Sequence, residues 1–364
     1  MTTYDELERL LADLTNAHGP TGFEGPVRAI MHREFEPSAD AIATDGLGSL
    51  IARFDGTSER PRVMLAAHMD ELGLMVRRIT DDGFLKFQPL GGWLDQSLIN
   101  QRWIVQTRNG PVLGITGIKS IHVMSVEARG RLFKREDMFV DVGATSRSDA
   151  EERLGIRPGD PIAPDSAFTP LAGGERYLAK AWDDRVGLAV MVLALRELRS
   201  GEPQPNTVFA VSTVQEEVGL RGGETSAHHV DLDIGINIES GVAGDHPGIT
   251  ADEAQERLGQ GPAIFLHDSS MLPNLHLRDF VIDTAAQAGI ALQFNVLSGY
   301  GEDGAPMQRA RSGAPSINVA IPTRDLHSHN SLVAREDILG AARLVAAIVR
   351  RLDAATVERI RTFD

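Results

Sequence analysis

Val63-Met64-Leu65-Ala66-Ala67 runs directly into His68-Met69-Asp70. Five apolar residues without a polar interruption predict a strand buried on both faces, as in the parallel sheet of an α/β protein. Sites in open α/β sheets gather just beyond the carboxyl ends of such strands, and this end delivers a histidine and an acid. The arrangement recurs. Residues 208–214 are followed by Glu216 and Glu217, residues 234–238 by Glu239, and residues 317–321 by His327. Asp183 and Asp184 stand at the head of a helical stretch over residues 185–198. Groups of this kind are costly to bury unless a cation compensates them.

Outward from these strands, Leu7, Leu10, Leu11 and Leu14 fall at helical spacing and stop at His18-Gly19-Pro20. A second helix is expected to start at Thr21, with Glu24 completing a capping box, and residues 51–54 read as a short strand. After Tyr177 the pattern alternates. Further strands are expected over 263–266 and 292–297, and helices over 275–288 and, closing the chain, 337–352. Such alternation predicts a sheet covered by helices on both faces. From about residue 76 to 165 the character changes. Short β-like runs (84–87, 103–107, 138–142) are split by Gly, Pro, Asp and Asn, with little helical periodicity before 149–154. A β-rich module over 76–165 is therefore expected, inserted into an α/β domain built from 1–75 and 166–364.

Composition narrows the chemistry. The 36 Lys+Arg against 51 Asp+Glu leave a net charge of −15 on 364 residues, which disfavours nucleic acid because phosphate is repelled. There is no cysteine, so disulfides, Fe–S clusters and thiolate nucleophiles are excluded, and any metal site must use His and carboxylate. The apolar run over 188–195 is far shorter than the ~20 residues that span a bilayer. The acidic opening MTTYDELERLLADL lacks the basic-then-apolar layout of a secretion signal. A cytoplasmic protein with no membrane partner is the expectation.

Taken as ligands, His68, Asp183, Glu217, Glu239 and His327 form a countable set. If Asp183 bridges two metals, each metal receives one His, one terminal carboxylate and one bridging oxygen, leaving a position open as catalytic zinc-type sites do. Two divalent cations then balance three carboxylates and a hydroxide. Asp70, two residues after His68, is placed to hold the imidazole nitrogen that faces away from the metal. Adjacent side chains on an extended segment point apart, so Glu217 can bind metal while Glu216 faces the substrate as general base for a bridging water. Each feature alone has an ordinary alternative. H-x-D is a weak pattern, Glu216-Glu217 reads equally as a solvated pair, and one of Asp183-Asp184 is expected to cap its helix. His327-Ser328-His329 reads alone as surface polar residues, and His18, His32, His228, His229, His267 and His276 as surface or capping residues. His122 and His246 lie in loops. The coincidence of the five features that carry His68, Asp183, Glu217, Glu239 and His327 at expected strand and helix ends favours the metal reading.

The segments AAHMDELGLMV (66–76), AKAWDDRVG (179–187), VQEEVGLRGG (214–223), IPTRDLHSH (321–329) and DVGATSRSDAEERLGIRPGDPIAPD (141–165) resemble the M42 family of metallo-aminopeptidases, some of which are labelled glutamyl aminopeptidases or endoglucanases. The resemblance covers nearly the whole chain. It implies a mixed sheet flanked by helices, of the zinc-exopeptidase kind, with an inserted β-barrel, PDZ-like dimerisation domain. It implies the roles given above: His68, Asp183, Glu217, Glu239 and His327 on two divalent ions (Zn²⁺ first, Co²⁺ or Mn²⁺ compatible), Glu216 as base and Asp70 behind His68. It also implies short peptide substrates and a homo-oligomer, up to a tetrahedral dodecamer. Two departures stand out: Glu239, where many members carry Asp, and Asn330, where many carry Glu. The rivals to an aminopeptidase are a di-metal deacylase or carboxypeptidase, a carbohydrate hydrolase, which would leave the histidines unexplained, and an assembly protein without turnover. The loop over 298–305, with Glu302 and Asp303, lines the pocket or is a plain turn.

Overall fold

In a computed structural model that describes residues 4–362, the opening stretch is the strand Arg62–His68. Its side chains alternate between two cores: Val63, Leu65 and Ala67 pack in one cluster, Met64 and Ala66 in another. This is why the run is apolar throughout. The strands are β1 Ala41–Thr44, β2 Leu50–Phe54, β3 Arg62–His68, β4 Gly73–Ile79, β5 Leu85–Leu90, β6 Arg102–Thr107, β7 Gly110–Gly117, β8 Phe139–Asp141, β9 Pro161–Pro164, β10 Thr169–Leu171, β11 Arg176–Ala179, β12 Thr207–Thr213, β13 Ile234–Val242, β14 Ala263–His267, β15 Gln293–Val296, β16 Ser316–Arg324 and β17 Ser331–Ala334. The helices are α1 Tyr4–Asn16, α2 Gly25–Phe35, α3 Val126–Arg129, α4 Trp182–Arg199, α5 Arg221–Val230, α6 Leu275–Gln287, α7 Gly304–Arg309, α8 Arg335–Arg351 and α9 Ala354–Arg361.

Eleven strands form one mixed sheet, ordered β1-β2-β12-β3-β13-β16-β17-β11-β10, with β14 joining β16 and β15 joining β14. Its centre is parallel: β12, β3, β13 and β16 run the same way. The ends of these four strands therefore open on one edge. Residues of α1, α2, α4, α6, α8 and α9 share the core of Leu65 and Ile236, whereas α5 and α7 supply Ala227 and Met307 to the core of Met64 and Ala66. Strands β4 to β9 close separately into a six-stranded antiparallel barrel, in the order β4-β5-β8-β7-β6-β9, around its own core of Leu74, Trp103 and Ile162. The α/β sheet flanked by helices and the inserted barrel are as the sequence predicted. The barrel begins at Gly73, a few residues before the change in composition.

Three local expectations fail. Thr21 and Glu24 make no capping box, because α2 starts at Gly25 with Pro in its first turn and no side-chain cap. Thr21 Oγ1 instead donates to Asp70 Oδ2 at 2.9 Å, and Glu24 Oε1 accepts from the main-chain N–H groups of Gly22 and Gln215. The helix α8 does not close the fold, since Asp353 caps a further helix, α9, through the Thr356 N–H at 2.7 Å. His329 is buried, not a surface residue. The leader reading rests on residues 1–14, of which 1–3 lie outside the described residues. Among the described residues, no helix is long and apolar enough to cross a membrane.

Candidate active site

The open edge of the parallel strands collects all seven residues singled out from the sequence. His68 ends β3, Glu216 and Glu217 follow β12, Glu239 lies in β13, His327 follows β16, and Asp183 heads α4. Asp183 occupies the middle. Its Oδ1 lies 2.9 Å from His68 Nε2 and its Oδ2 3.2 Å from His327 Nε2. Glu239 Oε1 is 3.8 Å from His68 Nε2, and Glu217 Oε2 is 3.9 Å from His327 Nε2. Two groups able to hold a metal ion result, His68/Asp183/Glu239 and Asp183/Glu217/His327, each with its donor atoms within 4.8 Å of one another.

Both imidazoles are held the same way. His68 Nδ1 lies 2.9 Å from the Asp70 main-chain carbonyl, and His327 Nδ1 lies 2.7 Å from the Gly92 carbonyl. A carbonyl only accepts, so each Nδ1 carries a hydrogen, and each ring is turned with its Nε2 toward Asp183. The Asp70 carboxylate, expected behind His68, is the more distant partner at 3.5 Å. Its main business is the next strand: Oδ1 accepts from Glu216 N–H at 3.0 Å and Oδ2 from Glu217 N–H at 3.1 Å. Asp184, not Asp183, fills the capping role, accepting from Gly187 N–H at 3.0 Å and from His68 N–H at 3.1 Å. Left-handed backbone at Ala181 (φ 56°), Gln215 (φ 54°) and His327 (φ 57°) flanks or carries the site residues. Such non-glycine conformations cost energy and persist where surrounding contacts enforce them.

Charge is crowded here. Burial and neighbouring carboxylates push Glu216 and Glu239 well above the usual carboxylate range and Glu217 up to about 8, with the histidines pulling the other way. Burial works against the Asp183 anion too, yet its hydrogen bonds to His327 and His68 hold it below the usual range. Glu217 Oε1 is buried without a hydrogen-bond partner among the described residues. An orphaned carboxylate oxygen, two oriented imidazoles and repelling acids form a donor set suited to hard or borderline divalent cations.

The two departures are accommodated locally. The longer Glu239 turns Oε1 back onto the Ser240 N–H at 2.8 Å. Asn330 keeps the His327 loop tied without a charge, its Oδ1 accepting from Ser166 Oγ at 2.6 Å. In the 298–305 loop, Glu302 and Asp303 are buried. They are bonded by Asn237 Nδ2 at 3.3 Å and Thr213 Oγ1 at 2.6 Å, so they pack under the sheet edge and are not part of a plain turn.

Sequence reasoning missed the support beneath Asp183. Glu71 accepts from Lys180 Nζ at 2.6 and 2.7 Å and stands 3.5 Å from Arg185 Nη2, all three side chains no more than 2% exposed. Burial brings Lys180 down to about 8, with Glu71 opposing the fall. Arg185 also donates to the carbonyls of Met69 and Leu14. The only signal was position: Lys180 and Arg185 bracket Asp183, and Glu71 adjoins Asp70. Removing one member of a buried pair leaves an uncompensated charge, so Lys180→Ala is expected to cost about 3–5 kcal/mol. Urea unfolding checks this; a loss under about 1 kcal/mol, the value of an exposed pair, would remove Lys180 from the support.

The chain is similar to known proteins over nearly its full length. It is 33% identical to the lysyl aminopeptidase of Pyrococcus furiosus, over 94% of this chain and 96% of that one. It is 32% identical to the glutamyl aminopeptidase of Lactococcus lactis subsp. cremoris, over 96% and 98%. Among solved structures, the TET aminopeptidase of the marine sediment archaeon Thaumarchaeota archaeon SCGC AB-539-E09 superposes with a TM-score of 0.96 at 43% identity, covering 99% of this chain and 100% of that one. The Pyrococcus horikoshii TET1 peptidase, which can assemble into a tetrahedron or a large octahedral shell, gives 0.85 at 29% identity, covering 95% and 100%. The M42 glutamyl aminopeptidase family model matches residues 48–344, a span that includes every strand end described above. A peptide-bond hydrolase is what such a match denotes, and the chain belongs to the M42 peptidase family.

Proposed function

We propose that this protein is a di-metal aminopeptidase that releases N-terminal residues from short peptides. One observation carries the reading: Asp183 turns one oxygen to His68 and the other to His327, with one further carboxylate beside each histidine. His68, Asp183 and Glu239 would hold one ion, and Asp183, Glu217 and His327 the other, Zn²⁺ first with Co²⁺ and Mn²⁺ compatible. When bound, the ions would polarise the scissile carbonyl and acidify water. Glu216, anchored through its N–H to Asp70, takes a proton from the attacking water and returns it to the leaving amine. Asp70 positions that base and the His68 ring together.

The family match and the aminopeptidase relatives support the substrate class. The Pyrococcus horikoshii shells and the exposed Ile121, Val123, Val126 and Leu132 between β7 and β8 support a homo-oligomer, with the module over 76–165 as its dimerisation domain. A cytoplasmic address accords with the absence of cysteine. The test compares a free with an N-acetylated peptide on metal-stripped and reconstituted protein. Cleavage of the free peptide alone, restored by metal, is expected. Equal cleavage of both would replace the aminopeptidase reading by a deacylase or carboxypeptidase.

A further inference from the structure

The barrel reaches back into the catalytic edge. Residues 91–93 follow the barrel strand β5, and the Gly92 carbonyl accepts the His327 Nδ1 hydrogen at 2.7 Å, across 235 positions of chain. A Cβ on Gly92 would stand 3.3 Å from His327 Nδ1. One on Gly91 would stand 3.2 Å from Glu217 Oε2 and 2.1 Å from Leu72 Cδ2. Gly91 also has φ +83°, which side-chain-bearing residues rarely adopt. The loop therefore lies against both outer members of the Asp183/Glu217/His327 group; Gly91 has room for no side chain, and a Cβ at Gly92 would press on the imidazole.

The loop is itself pinned to the barrel. Trp93 Nε1 donates to the Gly73 carbonyl at 3.0 Å, and its ring meets Trp103 of β6 at 5.6 Å. His329, two residues past His327, packs edge-on against Trp103 at 4.3 Å and against Trp93 at 5.5 Å. The His327 segment is thus held from the barrel at the imidazole and again two residues beyond it. The other group is built differently. The His68 Nδ1 partner is Asp70, Glu239 bonds to Ser240, and among the described residues no barrel side chain or carbonyl bonds to either. Freedom differs in the same sense: the His327 side chain is 36% exposed and that of His68 1%, so His327 needs a tether that packing already gives His68.

We propose that the barrel loop Gly91-Gly92-Trp93 positions His327 and Glu217, so that the ion at Asp183/Glu217/His327 is bound only as tightly as the barrel is docked, while the ion at His68/Asp183/Glu239 is held by the sheet and the head of α4 without the barrel. The proposal rests on the di-metal reading. Its physical basis is that a carbonyl behind an imidazole fixes both the tautomer and the ring direction, and losing such a partner weakens metal binding by about 10–100-fold. Linkage makes the effect reciprocal: an ion bound there must also hold the loop against the catalytic edge.

The test titrates metal-stripped full-length protein with Co²⁺, following visible absorption and bound metal by equilibrium dialysis. Wild type is expected to bind two ions in two steps. Gly91→Ala, which sets a methyl against Leu72 and Glu217, and Trp93→Phe, which keeps a ring and drops the N–H, are each expected to weaken one step by about 10-fold or more and leave the other unchanged. Amide exchange over 90–94 in wild type, slower after Co²⁺ saturation, gives a readout that needs no variant. Two ions in wild type with both variants unmoved, both steps weakened together, or exchange indifferent to Co²⁺ would each overturn the loop's role and leave the di-metal reading standing. Fewer than two ions in wild type would overturn both.

Discussion

Glu216→Gln is expected to keep both metal groups intact and lower kcat by roughly 10²-fold or more, the usual size of a lost general base. The substitution conserves shape. The main-chain N–H of residue 216 still reaches Asp70 Oδ1, so Glu217 beside it keeps its place near His327. What changes is proton affinity: an amide cannot take a proton from water and hand it to an amine. Burial and the acids around it hold Glu216 well above the usual carboxylate range, which suits a group that must gain and lose a proton in each turnover. Bound metal measured on the purified variant, with kcat on a free peptide, separates the roles. A variant with full peptidase activity would move the base elsewhere; one that lost its metal would make Glu216 a ligand.

Asp183→Asn is expected to be more damaging. Each oxygen of Asp183 faces a different histidine, so replacing one oxygen by an NH₂ group deprives one group of its shared donor and lowers the charge of both. Metal content should fall to at most one ion per chain. The several kcal/mol of charge stabilisation that bound metal supplies correspond to a fall in kcat/KM of about 10³-fold. Elemental analysis beside kinetics reads both. Two retained ions with near-normal turnover would exclude Asp183 as the bridge.

The residues that gather at the sheet edge were more legible in the sequence than the groups that support them. His68, Glu217, Glu239 and His327 announce themselves because apolar strands lead into them, and a strand end in a parallel sheet is a fixed address. Asp183 was readable from the helix it heads. The partners that hold these groups were not. The hydrogen-bond acceptors behind His68 and His327 are main-chain carbonyls of Asp70 and Gly92, and a carbonyl carries no residue identity. Thr21 and Glu24 matched a local helix-start pattern, yet long-range contacts with Asp70 and Gln215 won. Strands such as Gly110–Gly117 and Pro161–Pro164 escaped because Gly and Pro break the expected alternation and their pairing is set by barrel closure. The Glu71–Lys180–Arg185 support joins Glu71 to residues more than 100 positions away, and only their places beside Asp70 and Asp183 pointed to it.

The threading of the chain has a consequence for biosynthesis. His68 is made early, the whole barrel intervenes, Asp183 and the glutamates follow, and His327 comes about 260 positions after His68. Parallel pairing of β3 with β13 and of β13 with β16 must wait for distant segments, and such non-local contacts form slowly. A partly synthesised chain therefore carries no complete pair of ion-binding groups. On the di-metal reading, hydrolytic competence therefore waits for the strand that delivers His327, and a half-made chain is an inactive one.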